Sequence, residues 1–400
     1  MRVLHVVPVL ASRFGGPAVH VVECSLAART VGVEGSIIAT DLAAPPSRHR
    51  RVVTAEAELP RGVEEINVRL CKSSWPYRFA YSRELRQVLA QEAERADLIR
   101  IHSLFLYPQY AAYREAVRTG VPYIVSFHGA MDPYLRRRGR TRKWLTHVAW
   151  QSDMLKRASA IHVTSAEERR LTADVAPDVP RVLIPNGIYW NQFQNLPHGW
   201  GFRRRKLDGH RGPIVLSLGR IARKKAPDRL VRALPEVVRH HPDVLLVFAG
   251  PDDEGLMVGL LELAQSLGVE RRVRFTGMVH REERLQALSA ATIWALPSHT
   301  ENFAVAAAEA LAAGVPVVLT PQVNIAAAAA AAGAAIVLRP DGADLSRRLV
   351  QLLDDGALRA TLGARAREHA RQFDWGTIAP QLYRIYRDIS GKGEIRDVAA

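Results

Sequence analysis

The chain has 400 residues, 48% of them hydrophobic and 24% charged, which is ordinary for a globular protein and long enough for two domains with separate cores. Lysine and arginine exceed aspartate and glutamate by 55 − 40 = 15, a bias that points to an anionic partner such as a phosphate-bearing substrate or an acidic lipid surface. Cys24 and Cys71 are the only cysteines, with no C-x-x-C and no zinc-like Cys/His spacing, which argues against a disulfide framework or structural metal and fits a cytoplasmic setting.

The opening "MRVLHVVPVLA" places a cation before an apolar run, but His5 and Pro8 interrupt it, so it reads as a buried first strand and not as a signal segment. In the following "RFGGPAVHVVECSLA", Gly15 and Gly16 precede a helical pattern and let backbone N–H groups approach an anion at a helix start; a simple tight turn explains them equally well. No G-x-G-x-x-G follows, which removes support for a nicotinamide dinucleotide. Short β-branched runs then alternate with helix-like segments ("GSIIAT", "DLIRIH", "PYIVSF", "AIHVTS", "PRVLIPNG"), the pattern of βαβ units in a parallel sheet.

Ligands of open α/β sheets bind beyond the carboxyl ends of the strands. His128 and Gly129 stand there after "PYIVS", and although a lone histidine is more often structural, its place at a strand end before glycine singles it out. The densest basic focus follows in "YLRRRGRTRKWL", with Arg136, Arg137, Arg138, Arg140, Arg142 and Lys143. It is expected to rest on anionic lipid at the inner face of the cytoplasmic membrane, or else to be a solvated loop. Nucleic acid is not an expected partner, since no reading module is present and few aromatics interleave the basic runs.

The stretch from Trp190 to Gly212 is polar, rich in glycine and arginine, and reads as a linker centred on 196–212. It separates a domain over 1–195 from a second over 213–374, each with about six strands. Early in the second domain, "LSLGRIARKKAPDRLVRAL" ends a strand at Gly219 and crowds Arg220, Arg223, Lys224 and Lys225 at a helix start whose dipole is already positive, an arrangement that calls for a bound anion. In "HTENFAVAAAEALAAGVPVV", Glu301 falls in a loop and Glu309 two turns into a helix expected from about Asn302; eight helical steps would separate them by about 12 Å, too far for a hydrolytic carboxylate pair. Each would instead accept hydrogen bonds from a different part of one hydroxyl-rich ligand. From Ala310 to Leu338 there is no charge, but Pro316, Pro321, Gln322 and Asn324 break the stretch into a globular helix and strand series. Ile378, Leu382, Ile385, Tyr386 and Ile389 mark an amphipathic helix near the end, expected to cross back to the first domain.

Taken together, "GGPAVHV", "SFHG", "IPNGI", "GRIARKKAPD" and "ENFAVAAAEALAAGVPVV", in that order over nearly the whole chain, make the sequence similar to the retaining family GT4 group of GT-B glycosyltransferases. The resemblance implies an α/β protein of two Rossmann-like domains facing across a cleft, a nucleotide-diphosphate sugar donor, a glycan or lipid-linked acceptor, and no metal or other cofactor. It also implies roles: Gly15, Gly16 and Gly219 near the donor, His128 beside the sugar, Arg220 and Lys225 on the diphosphate, Glu301 with the amides of Asn302 and Phe303 on the sugar. Glu309 would take the ribose, and the backbone of Gly277, Met278 and Val279 the base. Two departures stand out: Ala226 where relatives usually have glycine, and "VNIAAAAAAAGAA", which lacks a carboxylate many relatives carry. A sugar-binding scaffold without turnover and a sugar-nucleotide 2-epimerase are the alternatives.

Overall fold

The computed structural model describes residues 1–12, 16–43, 59–136 and 140–391. The chain forms two compact units, one of Met1–Gly187 joined by the segment from Trp375 onward, the other of Ile188–Asp374.

The first unit holds a parallel sheet of β1 (Arg2–Val9), β2 (Glu34–Thr40), β3 (Asn67–Cys71), β4 (Leu98–His102), β5 (Tyr123–Ser126), β6 (Ala160–Val163) and β7 (Arg181–Leu183), ordered β3-β2-β1-β4-β5-β6-β7. Strand alternation divides its two faces. Leu4, Val6, Ile99, Ile101, Val125 and Ile161 enter one apolar core. The centre of the opposite face is polar: His5, Arg100, His102, Ser126 and His162 are all buried there. The helices Gly16–Arg29 and Trp375–Ser390 cover that face, bringing His20, Cys24 and Tyr386 onto it. The late helix therefore belongs to the first unit, burying Ile378, Leu382 and Tyr386.

The second unit repeats the pattern with β8 (Ile214–Leu218), β9 (Leu245–Ala249), β10 (Val273–Gly277), β11 (Ile293–Leu296), β12 (Val317–Leu319) and β13 (Ala335–Val337), ordered β10-β9-β8-β11-β12-β13 and all parallel. Both units are Rossmann-like, and in each the strand order reverses beside the first strand, at β1/β4 and β8/β11. The 196–212 stretch, expected as a linker, lies inside the second unit, which already begins at Ile188. It carries a helix, Trp200–Lys206, with Phe202 fully buried, and Arg203 donates hydrogen bonds to the carbonyls of His210, Gly212 and Ala290. One arginine satisfying three carbonyls gives an irregular segment a fixed place that periodicity does not reveal. The uncharged stretch from Ala310 resolves into short helices and strands; among the described residues no helix is long and apolar enough to cross a membrane.

Candidate active site

In the second unit the ends of β8 and β9 meet on glycine. Gly219 has φ +118° and Gly250 φ +156°, and a Cβ on Gly250 would lie 2.2 Å from the Gly219 carbonyl oxygen. The chain then makes a 3₁₀ turn over Arg223–Lys225, passes Ala226 and starts the helix Pro227–His240. This turn brings the Lys225 ammonium back over the strand end, where a Cβ on Gly219 would lie 2.7 Å from Nζ. The Lys225 ammonium makes no hydrogen bond or ion pair among the described residues. Burial lowers its pKa, with Lys224 and Arg220 adding to the effect against the pull of Glu301. Arg220 is only loosely held, 3.9 Å from Asp253. Ala226 adopts the left-handed conformation at φ +49°, a backbone state that glycine takes at no steric cost.

Glu301 comes to the same place from another loop. His299 N–H donates to the Lys224 carbonyl at 2.8 Å, Glu301 N–H donates to the Gln322 carbonyl at 3.0 Å, and Asn324 N–H donates to the Glu301 carbonyl at 3.1 Å. Its carboxylate lies 2.9 Å from Lys224 Nζ as an ion pair. Burial raises the Glu301 pKa, but Lys224, Lys225 and Arg220 together outweigh that and hold it below the ordinary carboxylate range. Asn302 accepts a hydrogen bond from Asn324 Nδ2, while the Phe303 ring is buried edge-to-face on Phe373. The helix spans Val305–Ala312, not from Asn302, because Ala304 adopts φ +60°. Four of the predicted residues, Gly219, Arg220, Lys225 and Glu301, thus converge on one point.

Glu309 lies elsewhere on that helix, 6% exposed, with Arg284 Nη1 2.5 Å from its Oε1. Burial raises its pKa despite Arg284. Arg284 stands on the helix Arg281–Ala290, directly after Gly277, Met278 and Val279. Gly277 adopts φ +70° with open space where a Cβ would stand, and Met278 is exposed. The segment expected to hold a base and the carboxylate expected to hold a ribose are therefore linked through Arg284. Sequence reading missed Arg284 and the pairing role of Lys224, since neither has a local signature.

His128 and Gly16 belong to the first unit. Gly16 starts its helix with nothing within 4 Å of a Cβ position; Gly15 lies outside the described residues. His128 (φ +49°) and Gly129 (φ +77°) form a left-handed turn after β5. The buried Glu168 carboxylate accepts from Thr164 N–H, Thr164 Oγ1 and Gly129 N–H, pinning this turn to the end of β6. The His128 ring hydrogen-bonds His102 at 2.9 Å and packs against His20, one turn into the Gly16–Arg29 helix. Burial and the Arg100 charge lower its pKa to about 3, so it is neutral near pH 7.

The basic segment is not a uniform cationic surface. All three guanidinium nitrogens of Arg136 are used, on Asp174 and on the carbonyls of Met131 and Leu171, and Lys143 Nζ donates to the Leu135 carbonyl at 2.6 Å. Arg137 and Arg138 lie outside the described residues, as do the side chains of Arg140 and Arg142. The exposed side chains here include apolar Trp144, Leu145 and Val148.

Residues 201–369 match the family described as Glycosyl transferases group 1, and residues 15–187 match the Glycosyl transferase 4-like domain. A protein named D-inositol 3-phosphate glycosyltransferase from Kineococcus radiotolerans is 31% identical, with 93% of this chain and 90% of the relative aligned. One of the same name from Saccharomonospora viridis is 30% identical over 94% of this chain and 89% of the relative. Among solved structures, HepE from Anabaena in complex with UDP and glucose superposes with a TM-score of 0.76 at 19% identity, covering 96% of this chain and 99% of that one. Sucrose-phosphate synthase from Thermosynechococcus elongatus gives 0.73 at 21% identity, covering 97% and 98%.

Proposed function

The chain is a glycosyltransferase of the group 1 (GT4) family with the GT-B fold, and from that premise we propose that it moves a sugar from a nucleotide-diphosphate donor, with retention and without a metal, to a glycan or lipid-linked acceptor. The observation that carries this reading is Lys225, an ammonium with no hydrogen-bond or ion-pair partner among the described residues, held over Gly219 beside Arg220. A bound diphosphate supplies the missing counter-charge, and the same cations stabilise the negative charge that develops on the leaving group. Phe303, Ala304 and Val305 present amides without hydrogen bonds among the described residues at a helix start, a second set of donors for an anion or a sugar hydroxyl. Glu301, kept ionised by Lys224, accepts from sugar hydroxyls, and Glu309 with Arg284 receives the ribose. His128 is assigned to the donor sugar from the resemblance alone, and the departing diphosphate takes the acceptor's proton, so no protein carboxylate serves as nucleophile. HepE, whose structure contains UDP and glucose, makes a uridine donor the first to test.

The acceptor side is assigned to the first unit, where a cavity of about 520 Å³ is lined by Phe105, Met131, Lys143, Trp144 and Gln151. Trp144, Leu145 and Val148, exposed beside the basic segment, suit contact with an anionic membrane and a lipid-linked acceptor. The substrate in the relatives' name, D-inositol 3-phosphate, is the competing acceptor.

The test is incubation with UDP-, GDP- and ADP-glucose in EDTA, with and without polyprenyl-phosphate-linked sugar or inositol 3-phosphate. Acceptor-dependent release of one nucleoside diphosphate, abolished in Lys225→Ala, is expected. Conversion of the donor sugar to its 2-epimer without acceptor would replace this reading with the epimerase.

A further inference from the structure

The stretch "RTRKWLTHVAWQSDMLK" forms one helical run: Arg140–Thr146, a π-helical turn over His147–Gln151, then Ser152–Lys156. A π turn holds one residue more than an α turn, which rotates the side chains that follow by about 100°. Gln151, at the end of this turn, is fully buried. Its side chain meets the loop after β4, where Phe105 takes a left-handed φ of +70° and its N–H donates to Gln151 Oε1 at 3.1 Å. A backbone N–H can only donate, so this contact fixes which end of the amide is oxygen. The other end, Nε2, is buried without a hydrogen-bond partner among the described residues, which costs free energy unless an acceptor meets it.

Gln151 also lines the cavity of about 520 Å³ in the first unit. Trp144, 62% exposed, stands at its mouth, and Gln151, with no exposed surface, at its inner end. Phe105, Met131 and Trp144 make the walls largely apolar, and no carboxylate among the described residues lines them. The cations here are engaged by the protein itself. Arg136 donates to Asp174 and to two carbonyls, while Lys143 donates to the Leu135 carbonyl at 2.6 Å and lies over the Phe105 ring at 5.3 Å. The buried donor left without a partner is therefore a neutral amide. A phosphate calls for uncommitted cations, whereas a neutral amide at the end of an apolar cavity suits an uncharged oxygen carried beside an apolar group.

We propose that this cavity binds an amphiphile, its apolar group against Phe105, Met131 and Trp144 and a hydroxyl or ether oxygen accepting from Gln151 Nε2. That the amphiphile is the glycosyl acceptor rests on the glycosyl-transfer reading above. In that role Gln151 is a specificity-determining residue, selecting a sugar on an apolar carrier over a free sugar phosphate.

The probe is n-octyl β-D-glucoside below its micellar concentration, titrated by calorimetry into the full chain without nucleotide, with glucose and D-inositol 3-phosphate as controls. Octyl glucoside is expected to bind about tenfold or more tightly than either control, the worth of one buried apolar group. Gln151→Glu keeps an oxygen for the Phe105 amide and replaces the NH₂ by an acceptor, and at pH 8 it is expected to weaken octyl glucoside about tenfold. In ¹⁵N–¹H spectra of the wild type, the Gln151 side-chain NH₂ pair, assigned by its absence in Gln151→Glu, is expected to shift with octyl glucoside and not with glucose. An unshifted pair, equal affinity for octyl glucoside and glucose, or undiminished binding in Gln151→Glu would overturn the proposal. Tighter binding of D-inositol 3-phosphate would overturn it in favour of a phosphate site. Octyl glucoside that shifts Gln151 in a protein releasing no nucleoside diphosphate from UDP-, GDP- or ADP-glucose would support the cavity's preference and count against the glycosyl-transfer reading.

Discussion

Lys224 and Glu301 are joined by a 2.9 Å ion pair, and this frees the next residue, Lys225, to stand over Gly219 without a carboxylate. Two adjacent lysines thus have different tasks. Lys224 neutralises the acid we assign to the sugar, and the Lys225 ammonium is left for the anion we propose. Glu301→Gln is expected to reduce the extra affinity of UDP-glucose over UDP by about tenfold, the size of one hydrogen bond to a charged group, while UDP itself binds nearly unchanged. Lys224→Ala should reduce the same difference. Calorimetric titration of both ligands against both variants checks this, and equal losses for UDP and UDP-glucose would place Glu301 on the nucleotide.

The packing of Gly250 on Gly219 predicts a stability effect separable from binding. A Cβ at 250 would meet backbone at 2.2 Å and 2.5 Å, which no side-chain rotation relieves. Gly250→Ala should lose about 2–4 kcal/mol by urea unfolding. Gly277→Ala, also at positive φ but in open space, should lose only about 1–2 kcal/mol, the left-handed penalty alone.

The buried histidines make the protein acid-sensitive. Burial holds the pKa values of His5, His20, His102, His128 and His162 well below 6.5. As pH falls below 6.5 the unfolded chain takes up protons that the folded one refuses, so stability is complete above 6.5 and is lost on acidification towards pH 3. Each histidine adds at most about 1.4 kcal/mol per pH unit to the slope. Stability measured from pH 7.5 to 5 should fall steeply, and His20→Phe should flatten the fall; an unchanged slope would mean His20 is not refusing a proton.

The exposed Trp144 and Leu145 predict a surface contact that the basic residues alone do not. Trp144→Ala with Leu145→Ser should weaken sedimentation with phosphatidylglycerol-containing vesicles about 100-fold or more, since each buried apolar side chain is worth about 1.5–3 kcal/mol. Arg136→Gln should instead lower stability, because its guanidinium holds Asp174 and two carbonyls. Equal vesicle binding by the double variant and the wild type would remove the membrane assignment.

The alternation of β-branched runs and helical patterns made both sheets legible, because parallel strands covered on both faces are rich in β-branched and apolar residues, although His5, Arg100, His102, Ser126 and His162 make one face of the first sheet polar at its centre. The convergence of Gly219, Arg220, Lys225 and Glu301 was legible because each stands just after a strand. The 196–212 segment was not, since its order comes from Phe202 and from Arg203 bonding carbonyls as far away as Ala290. Likewise Arg284 reaches Glu309 across 25 residues, and His5 reaches His102 across 97. Such partners have no local pattern and become visible only when the sheet places them side by side.

The role proposed for Lys225 is to meet the diphosphate of a nucleotide. Its most direct test is calorimetric titration of UDP, with GDP and ADP alongside, into the wild type and Lys225→Ala, each with EDTA present. Binding of one nucleotide to the wild type in EDTA is expected, weakened about 10- to 100-fold in Lys225→Ala, the worth of a charged hydrogen-bonded contact. Equal affinity in the two proteins, or binding that disappears with EDTA, would contradict it.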